Sequence, residues 1–288
     1  MRLCFVGLGT MGLPMALRLE ETGFDVVGWD TVTAAGTGLR QRATSLEQAA
    51  TGADVLITML PDGAAVAAVH EQILASEAPA GRLFLDCSTI DVATTRRLAA
   101  AAQAAGHGFV DAPVSGGPEG ARSGALSFMA GGDAADVASA EPLFAAMGAK
   151  VTTFGAAGTG QAAKACHNMI CGITALGVCE AFALADALDL DLEKFFALCQ
   201  GAAAQSWILE NRCPVPGPAP AAPASNGYAP GFAARLMAKD LRLAQDAADA
   251  AGQQTSFGAE AARRFTEFAE RSGGDLDFSA IYREIREG

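Results

Sequence analysis

Basic residues are in short supply: 20 lysines and arginines stand against 32 acids, for a net charge of -12. No lysine- or arginine-rich run breaks that balance, so the phosphate backbone of nucleic acid and the anionic face of a membrane are poor partners. Histidine is scarcer still. His70, His107 and His167 are the only three, and none sits at metal-ligand spacing from another. No CxxC pair occurs, so neither a structural nor a catalytic zinc site is expected. The seven cysteines (Cys4, Cys87, Cys166, Cys171, Cys179, Cys199, Cys213) are odd in number and scattered through apolar runs, a pattern of buried thiols in a reducing compartment. Met1-Arg2 passes straight into "LCFVG", too short for a signal-peptide core, and the longest apolar run, Met169 to Cys179, is too short to cross a bilayer. These absences predict a cytoplasmic protein.

What is present is ample apolar surface: 51% of the 288 residues are hydrophobic and 18% charged, enough for one or two packed cores. The chain has two halves of different rhythm. From Arg2 to about Thr153, short apolar strands ("LCFVG", "DVVGW", "DVLITML", "RLFLDCS", "GFVDAPV", "LSFMAGG", "KVTTF") alternate with Ala-rich helical stretches. That alternation predicts crossover units on a mostly parallel, doubly wound sheet. After Gly160 the pattern turns helical, over Gly160 to about Leu188, Leu192 to Gly201, Ser206 to Arg212, Phe232 to Ala251 and Ser256 to Glu270, with a final turn around Phe278 to Arg286. Half of the 12 prolines fall between Pro214 and Pro230, so this stretch cannot continue a helix and is expected to be an ordered loop or a cover. There is no internal repeat.

The first chemical signal is "VGLGTMG", Val6 to Gly12, directly after the first strand and at the start of a helix. Gly7 permits a tight turn, Gly9 lets backbone approach a pyrophosphate, and Gly12 allows close packing of helix on sheet. Leu8, Thr10 and Met11 complete the loop, whose N–H groups would hold phosphates at the helix N-terminus. The second strand ends in Asp30, 18 residues past Gly12, where an acid accepts from an adenine-ribose diol and repels a 2′-phosphate. Strand, turn, helix and acid in register predict a Rossmann-type domain that takes NAD in preference to NADP. An α/β fold follows: a doubly wound Rossmann-type sheet over residues 1–157, then an all-helical C-terminal domain over 158–288 that begins with a long interdomain helix.

That helix opens with "GTGQAAKACHN". Positions three and four apart share a helical face, and Gly160, Lys164 and Asn168 lie on one that continues through Cys171, Ala175, Cys179 and Ala183. Polarity ends after two turns. A solvated face would keep recurring polar residues, so two readings remain: the helix start points into a polar cavity, or Lys164 lies over the domain surface.

Four motifs in this order and spacing, "VGLGTMG", "DAPVSGG" (Asp111 to Gly117), "GTGQAAKACHN" (Gly158 to Asn168) and "LMAKDLRLAQDA" (Leu236 to Ala247), resemble the β-hydroxyacid dehydrogenase family. The loop carrying "PVPG" and "APASNGY", with "LMAKDL" after it, looks like the 3-hydroxyisobutyrate dehydrogenase branch. The resemblance covers nearly the whole chain. It implies that Lys164 is the catalytic acid/base, that Ser115, Gly116 and Gly117 cradle the substrate carboxylate, and that Asn168 orients the substrate. It also implies cofactor contacts from Leu60 and Pro61, from Thr89 and from Lys239.

Elementary chemistry agrees with those roles. As hydride leaves the carbinol carbon for a nicotinamide, the hydroxyl proton must go to a base. A lysine with an unperturbed pKa of about 10.4 serves near neutrality only where its surroundings lower it. Ser115 followed by two glycines offers a hydroxyl and unobstructed N–H groups, as a small carboxylate needs. By helical position alone Lys239 shares a face with Arg235, Arg242 and Asp246, which reads as solvated. Asp240 lies among Leu236, Met237, Leu243 and Ala244 and should have a hydrogen-bonded or charged partner. Trp207 is a pocket wall or core. His167 has no role in either reading. One departure from the resemblance is Thr31 to Ser45, shorter and richer in glycine than the helix such proteins carry after the acidic strand end.

The reaction so implied is NAD-dependent oxidation of 3-hydroxyisobutyrate to methylmalonate semialdehyde, a step of valine degradation. Related alternatives are tartronate semialdehyde reduction and serine oxidation. A module that senses NAD without turnover is a third, although it would need only the glycine loop. The partner is a small β-hydroxy acid, and dimers or tetramers are implied, with Gly172 and Gly177 free to pack within the chain or against a second subunit.

Overall fold

The first strand, β1 (Arg2–Val6), runs through the middle of a sheet, and its sequence says why: Leu3 and Phe5 enter one core while Cys4 and Val6 enter another. A strand buried on both faces reads as a continuous apolar run, as do β4 (Val55–Thr58), β5 (Leu83–Asp86) and β6 (Gly108–Asp111). The computed structural model describes residues 1–76 and 80–287. Contacts divide it into two compact units, Met1–Lys164 and Ala165–Gly288.

In the first unit, β2 (Asp25–Trp29) and β3 (Gln41–Arg42) complete a parallel set in the order β3-β2-β1-β4-β5-β6. Beyond β6 the sheet turns mixed. β8 (Leu126–Gly132) runs antiparallel to β6 and to β7 (Val114–Ser115), and parallel to β9 (Gly148–Thr153). Helices α1 (Gly12–Glu21), α2 (Leu46–Ala50), α3 (Gly63–Leu74), α4 (Val92–Ala104), α5 (Gly117–Ser123) and α6 (Ala134–Met147) connect the strands. Several start on side-chain caps that satisfy orphan N–H groups: Ser45 accepts from Gln48, Asp62 from Ala65 and Asp91 from Thr94. This is the mixed, mainly parallel Rossmann-type sheet the alternation predicts.

Helix α7 (Thr159–Ala187) belongs to the first unit over its opening turns and to the second beyond them. The second unit is helical: α8 (Leu192–Gln200), α9 (Trp207–Asn211), α10 (Ala234–Ala250), α11 (Ser256–Phe268) and α12 (Tyr282–Glu287). Its core gathers Phe182 from α7, Met237 and Leu241 from α10, Phe265 from α11 and Phe278. The two glycines of α7 meet different fates. A Cβ on Gly172 would stand 2.8 Å from Leu241 Cδ2, so its absence lets α7 and α10 close up, whereas Gly177 has nothing within 4 Å. Taken whole, the 29 residues of α7 are long and apolar enough to cross a membrane, although the shorter run in the sequence is not. Ala175, Cys179 and Phe182 are nevertheless packed into the second core, so one face of α7 is a core face.

The proline-rich stretch is ordered. It contains one 3-10 turn, Pro223–Asn226, and buries Val215, Ala219, Ala222, Ala224 and Tyr228 in the same core. The Tyr228 hydroxyl closes it by donating to the Pro214 carbonyl oxygen over 2.6 Å.

Candidate active site

Because β1, β2, β4, β5 and β6 run parallel, their carboxyl ends share one edge of the first unit. Ligands of doubly wound sheets bind at such an edge. The glycine loop follows β1, Asp30 follows β2, Leu60 and Pro61 follow β4, Thr89 follows β5, and Ser115 to Gly117 follow β6.

The loop glycines are needed for different reasons. Gly7 has φ +93, and a Cβ there would lie 2.3 Å from the Met59 carbonyl oxygen. At Gly12 it would lie 1.8 Å from the Gly7 carbonyl oxygen, so α1 can start only where a hydrogen stands in place of a methyl. Gly9 is exposed with nothing within 4 Å. Its bare backbone at a helix start is the setting that receives a pyrophosphate, and the residues present therefore fit the dinucleotide that the motif predicts. Asp30 reinforces the loop: its carboxylate accepts the Leu8 N–H at 2.7 Å and the Val32 N–H at 2.8 Å. Lone pairs remain on both oxygens for a ribose diol.

Behind the next two loops lies a buried polar chain with no counterpart in the sequence reading. The Thr58 hydroxyl donates to Asp86 Oδ1 at 2.8 Å, and His70 Nε2 lies 3.3 Å from the same hydroxyl oxygen. Since that hydroxyl hydrogen is taken, the imidazole donates to it. Burial pushes the His70 pKa down to about 3, so the ring is neutral. Asp86 Oδ1 also accepts the Ser88 N–H at 3.0 Å, and the Ser88 hydroxyl accepts the Leu60 N–H at 2.9 Å. The segments holding Leu60 and Thr89 are thus fixed to each other.

Gln161 and Asp111 are further residues that the sequence reading did not single out. Gln161 brackets Thr89 with both ends of its amide, donating to the Ser88 carbonyl at 2.7 Å and accepting the Ile90 N–H at 3.2 Å. Asp111, wholly buried at the end of β6, takes the Gly158 N–H at 2.7 Å on one oxygen and the Gln161 N–H at 2.8 Å on the other. It therefore caps the start of α7. Burial raises its pKa to about 6; the two backbone donors pull it down without cancelling that rise, and the Asp86 charge adds to it. Glycine makes the seat possible, since a Cβ on Gly160 would lie 2.3 Å from the Met129 carbonyl oxygen.

One turn along α7, Lys164 is 8% exposed and donates from Nζ to the Val114 carbonyl oxygen at 2.8 Å. That burial excludes the surface placement left open by the helical wheel. Ser115 is the next residue, and Gly116 and Gly117 follow with φ +126 and +62. Gly117 has nothing within 4 Å of its missing Cβ, so the backbone there is unobstructed.

In the second unit, Asn168 is buried, and its Nδ2 donates to Asp240 Oδ2 at 2.6 Å. Lys239 Nζ lies 3.2 Å from the other oxygen of Asp240. Asp240 thus has both a hydrogen-bonded and a charged partner, as its apolar neighbours require. The Lys239 side chain is only 21% exposed, less than a solvated face would leave it. His167 Nδ1 lies 2.9 Å from Asn168 Oδ1. Trp207 is 57% exposed, with the Arg212 guanidinium 5.1 Å from its ring centre, and so is not core.

Residues 2–155 match the NAD binding domain of 6-phosphogluconate dehydrogenase, and residues 158–285 match the NAD-binding model of NADP-dependent 3-hydroxyisobutyrate dehydrogenase. A 3-hydroxyisobutyrate dehydrogenase of Pseudomonas aeruginosa is 41% identical over 99% of this chain and 98% of its own. The chain belongs to the β-hydroxyacid dehydrogenase family. It is a dehydrogenase acting on CH–OH donors and carries an NAD-binding domain. The solved structure of Mycobacterium tuberculosis 3-hydroxyisobutyrate dehydrogenase with L-serine superposes on this dehydrogenase with a TM-score of 0.92, at 42% identity and 99% coverage of each chain. An NAD-dependent L-serine dehydrogenase of P. aeruginosa is 40% identical over 97% of this chain and 96% of its own.

Proposed function

We propose that this dehydrogenase oxidises 3-hydroxyisobutyrate to methylmalonate semialdehyde with NAD, in the cytoplasm, and that Lys164 is its acid/base. The observation that carries the reading is the hydrogen bond from Lys164 to Val114. It places the one ammonium of the opening turns of α7 on the residue that adjoins Ser115.

Bound NAD supplies the acceptor for hydride. The chain's own residues do the rest. Gly7, Gly9 and Gly12, with the N–H groups of Thr10 and Met11, receive the pyrophosphate, while the Leu8 N–H holds Asp30, which accepts from the adenine ribose. Leu60, Pro61 and Thr89 flank the dinucleotide along the strand edge, and Lys239 adds a cationic contact. Ser115, Gly116 and Gly117 take the substrate carboxylate through a hydroxyl and open backbone N–H groups. Lys164 in its neutral form accepts the hydroxyl proton during oxidation and returns it during reduction, while the Val114 carbonyl keeps Nζ in place. Asn168, one turn further along α7, orients the substrate, and Trp207 supplies an apolar wall.

L-serine is the second reading, favoured by the close relative named for it and by the solved relative that holds it. Both compounds are small β-hydroxy acids and differ in the group on the α-carbon. NADH absorbance measured with 3-hydroxyisobutyrate, L-serine and unsubstituted 3-hydroxypropionate decides between them, and a higher kcat/KM for L-serine would overturn the first reading.

We also propose a homo-oligomer. Ile170, Gly177, Ala181 and Leu184 leave an exposed apolar stripe along α7 that Leu188 continues just past its end, and stripes of this kind mark contact surfaces. Sedimentation equilibrium that returned the mass of a single chain would discard it.

A further inference from the structure

His167 takes no part in the mechanism above, yet its ring is fixed against the residue that orients the substrate. The Asn168 amide has two neighbours of opposite demand. Asp240 offers a carboxylate oxygen, which only accepts, 2.6 Å from the amide, with the Lys239 ammonium 3.2 Å from its other oxygen. The amide must therefore turn its nitrogen to Asp240 and its oxygen to His167. That oxygen lies 2.9 Å from His167 Nδ1. Two acceptors cannot share a hydrogen bond, so Nδ1 carries the hydrogen and donates it. Cys171 Sγ, one turn along the same helix, is 3.8 Å from the same nitrogen, and as a weak acceptor it does not disturb that assignment.

We propose that His167 is a positioning residue: together with Asp240 it locks the Asn168 amide so that an N–H, and not the carbonyl, is what Asn168 offers the substrate. With the oxygen engaged by His167 and one nitrogen hydrogen engaged by Asp240, the second nitrogen hydrogen is the donor that remains. The substrate group it meets must accept, so it is a hydroxyl, carbonyl or carboxylate oxygen. A ring that carried its hydrogen on Nε2 alone would set an acceptor against the amide oxygen and drive the amide to turn over. The inference rests on the reading that Asn168 contacts the substrate.

The chain has only three histidines, which makes the test direct. In nitrogen-15 spectra of histidine-labelled enzyme, with the His167 signals identified by their loss in His167→Asn, Nδ1 should be protonated. An unprotonated Nδ1 overturns the proposal. Steady-state kinetics add a second readout. His167→Phe keeps a ring and removes the donor, and it should raise the KM of the β-hydroxy acid roughly tenfold, the scale of one lost orienting hydrogen bond, with the Kd for NADH unchanged. His167→Asn places an amide nitrogen where Nδ1 was, and it should restore KM to within about threefold of the parent. A parent-like KM in His167→Phe, or an equally poor KM in His167→Asn, overturns the lock. Asn168→Ala separates the two layers. If its substrate KM is unchanged, the reading of Asn168 itself fails and takes this inference with it. If its KM rises while that of His167→Phe does not, the inference fails alone.

Discussion

Lys164 and Val114 are joined by a hydrogen bond of 2.8 Å, from a buried ammonium to a carbonyl oxygen one residue before the proposed carboxylate cradle. Lys164→Ala should fold and bind NADH as the parent does, since the glycine loop lies elsewhere on the strand edge. Its turnover should fall by roughly 100-fold or more, the usual scale of general acid–base assistance. Lys164→Arg keeps a charge that cannot release a proton near neutrality, so it should recover substrate binding without recovering rate. Turnover of the arginine variant near that of the parent would reduce Lys164 to an electrostatic anchor.

Asp111 predicts how stability follows pH. Its folded pKa of about 6 lies above the ordinary 3.8, so between those values the folded chain holds a proton that the unfolded chain has released. Stability from this group is therefore greatest below about pH 4, declines as pH rises through 6, and is level above it. Over the whole window the change is about 3 kcal/mol. Asp111→Asn should be less stable throughout, because an amide cannot accept from both Gly158 and Gln161, and its urea midpoint should lack that decline. A parent midpoint that rises from pH 4 to 6, relative to the variant, would mean that the two backbone donors outweigh burial.

Gln161 ties α7 to the residues on either side of Thr89. Gln161→Met keeps the length and removes both bonds, so Thr89 should lose its fixed position. The Kd for NADH, read by fluorescence titration, should weaken roughly tenfold. An unchanged Kd would remove Thr89 from the cofactor contacts.

For Asp30 the measured quantity is the ratio of kcat/KM for NAD to that for NADP, which should strongly favour NAD. Asp30→Asn should narrow the ratio by weakening NAD and admitting the 2′-phosphate. It should also slow both, because the amide can replace only one of the two bonds to Leu8 and Val32. Equal values in the parent would place Asp30 in the loop's support and outside the ribose site.

What is legible in the sequence is what is local. The glycine loop, Asp30 and the run of strands can be read because each depends on neighbours within a turn or a strand. The placement of Lys164 cannot, because the groups that seat it are distant. Asp111 reaches N–H groups 47 and 50 residues further along the chain, and no periodicity announces such a pair. The short β3 is equally silent, since Gln41 and Arg42 are both exposed and show no apolar alternation. Trp207 looks like core by size alone, yet the guanidinium lying over its ring lets it stay at the surface. The buried chain from His70 to Leu60 joins α3, β4, β5 and the loops after the two strands, each of which carries only one of its polar groups.

A proline-rich stretch such as Pro214 to Pro230 is the kind of segment into which a tag or a foreign loop is often inserted. Its buried positions argue against that use. With Tyr228 bonded back to Pro214 and Val215, Ala222 and Ala224 among the helices, a residue added beside any of these would push a peptide group into the core without water or a partner to receive it, whereas Gly217, Ala221 and Gly227 face solvent.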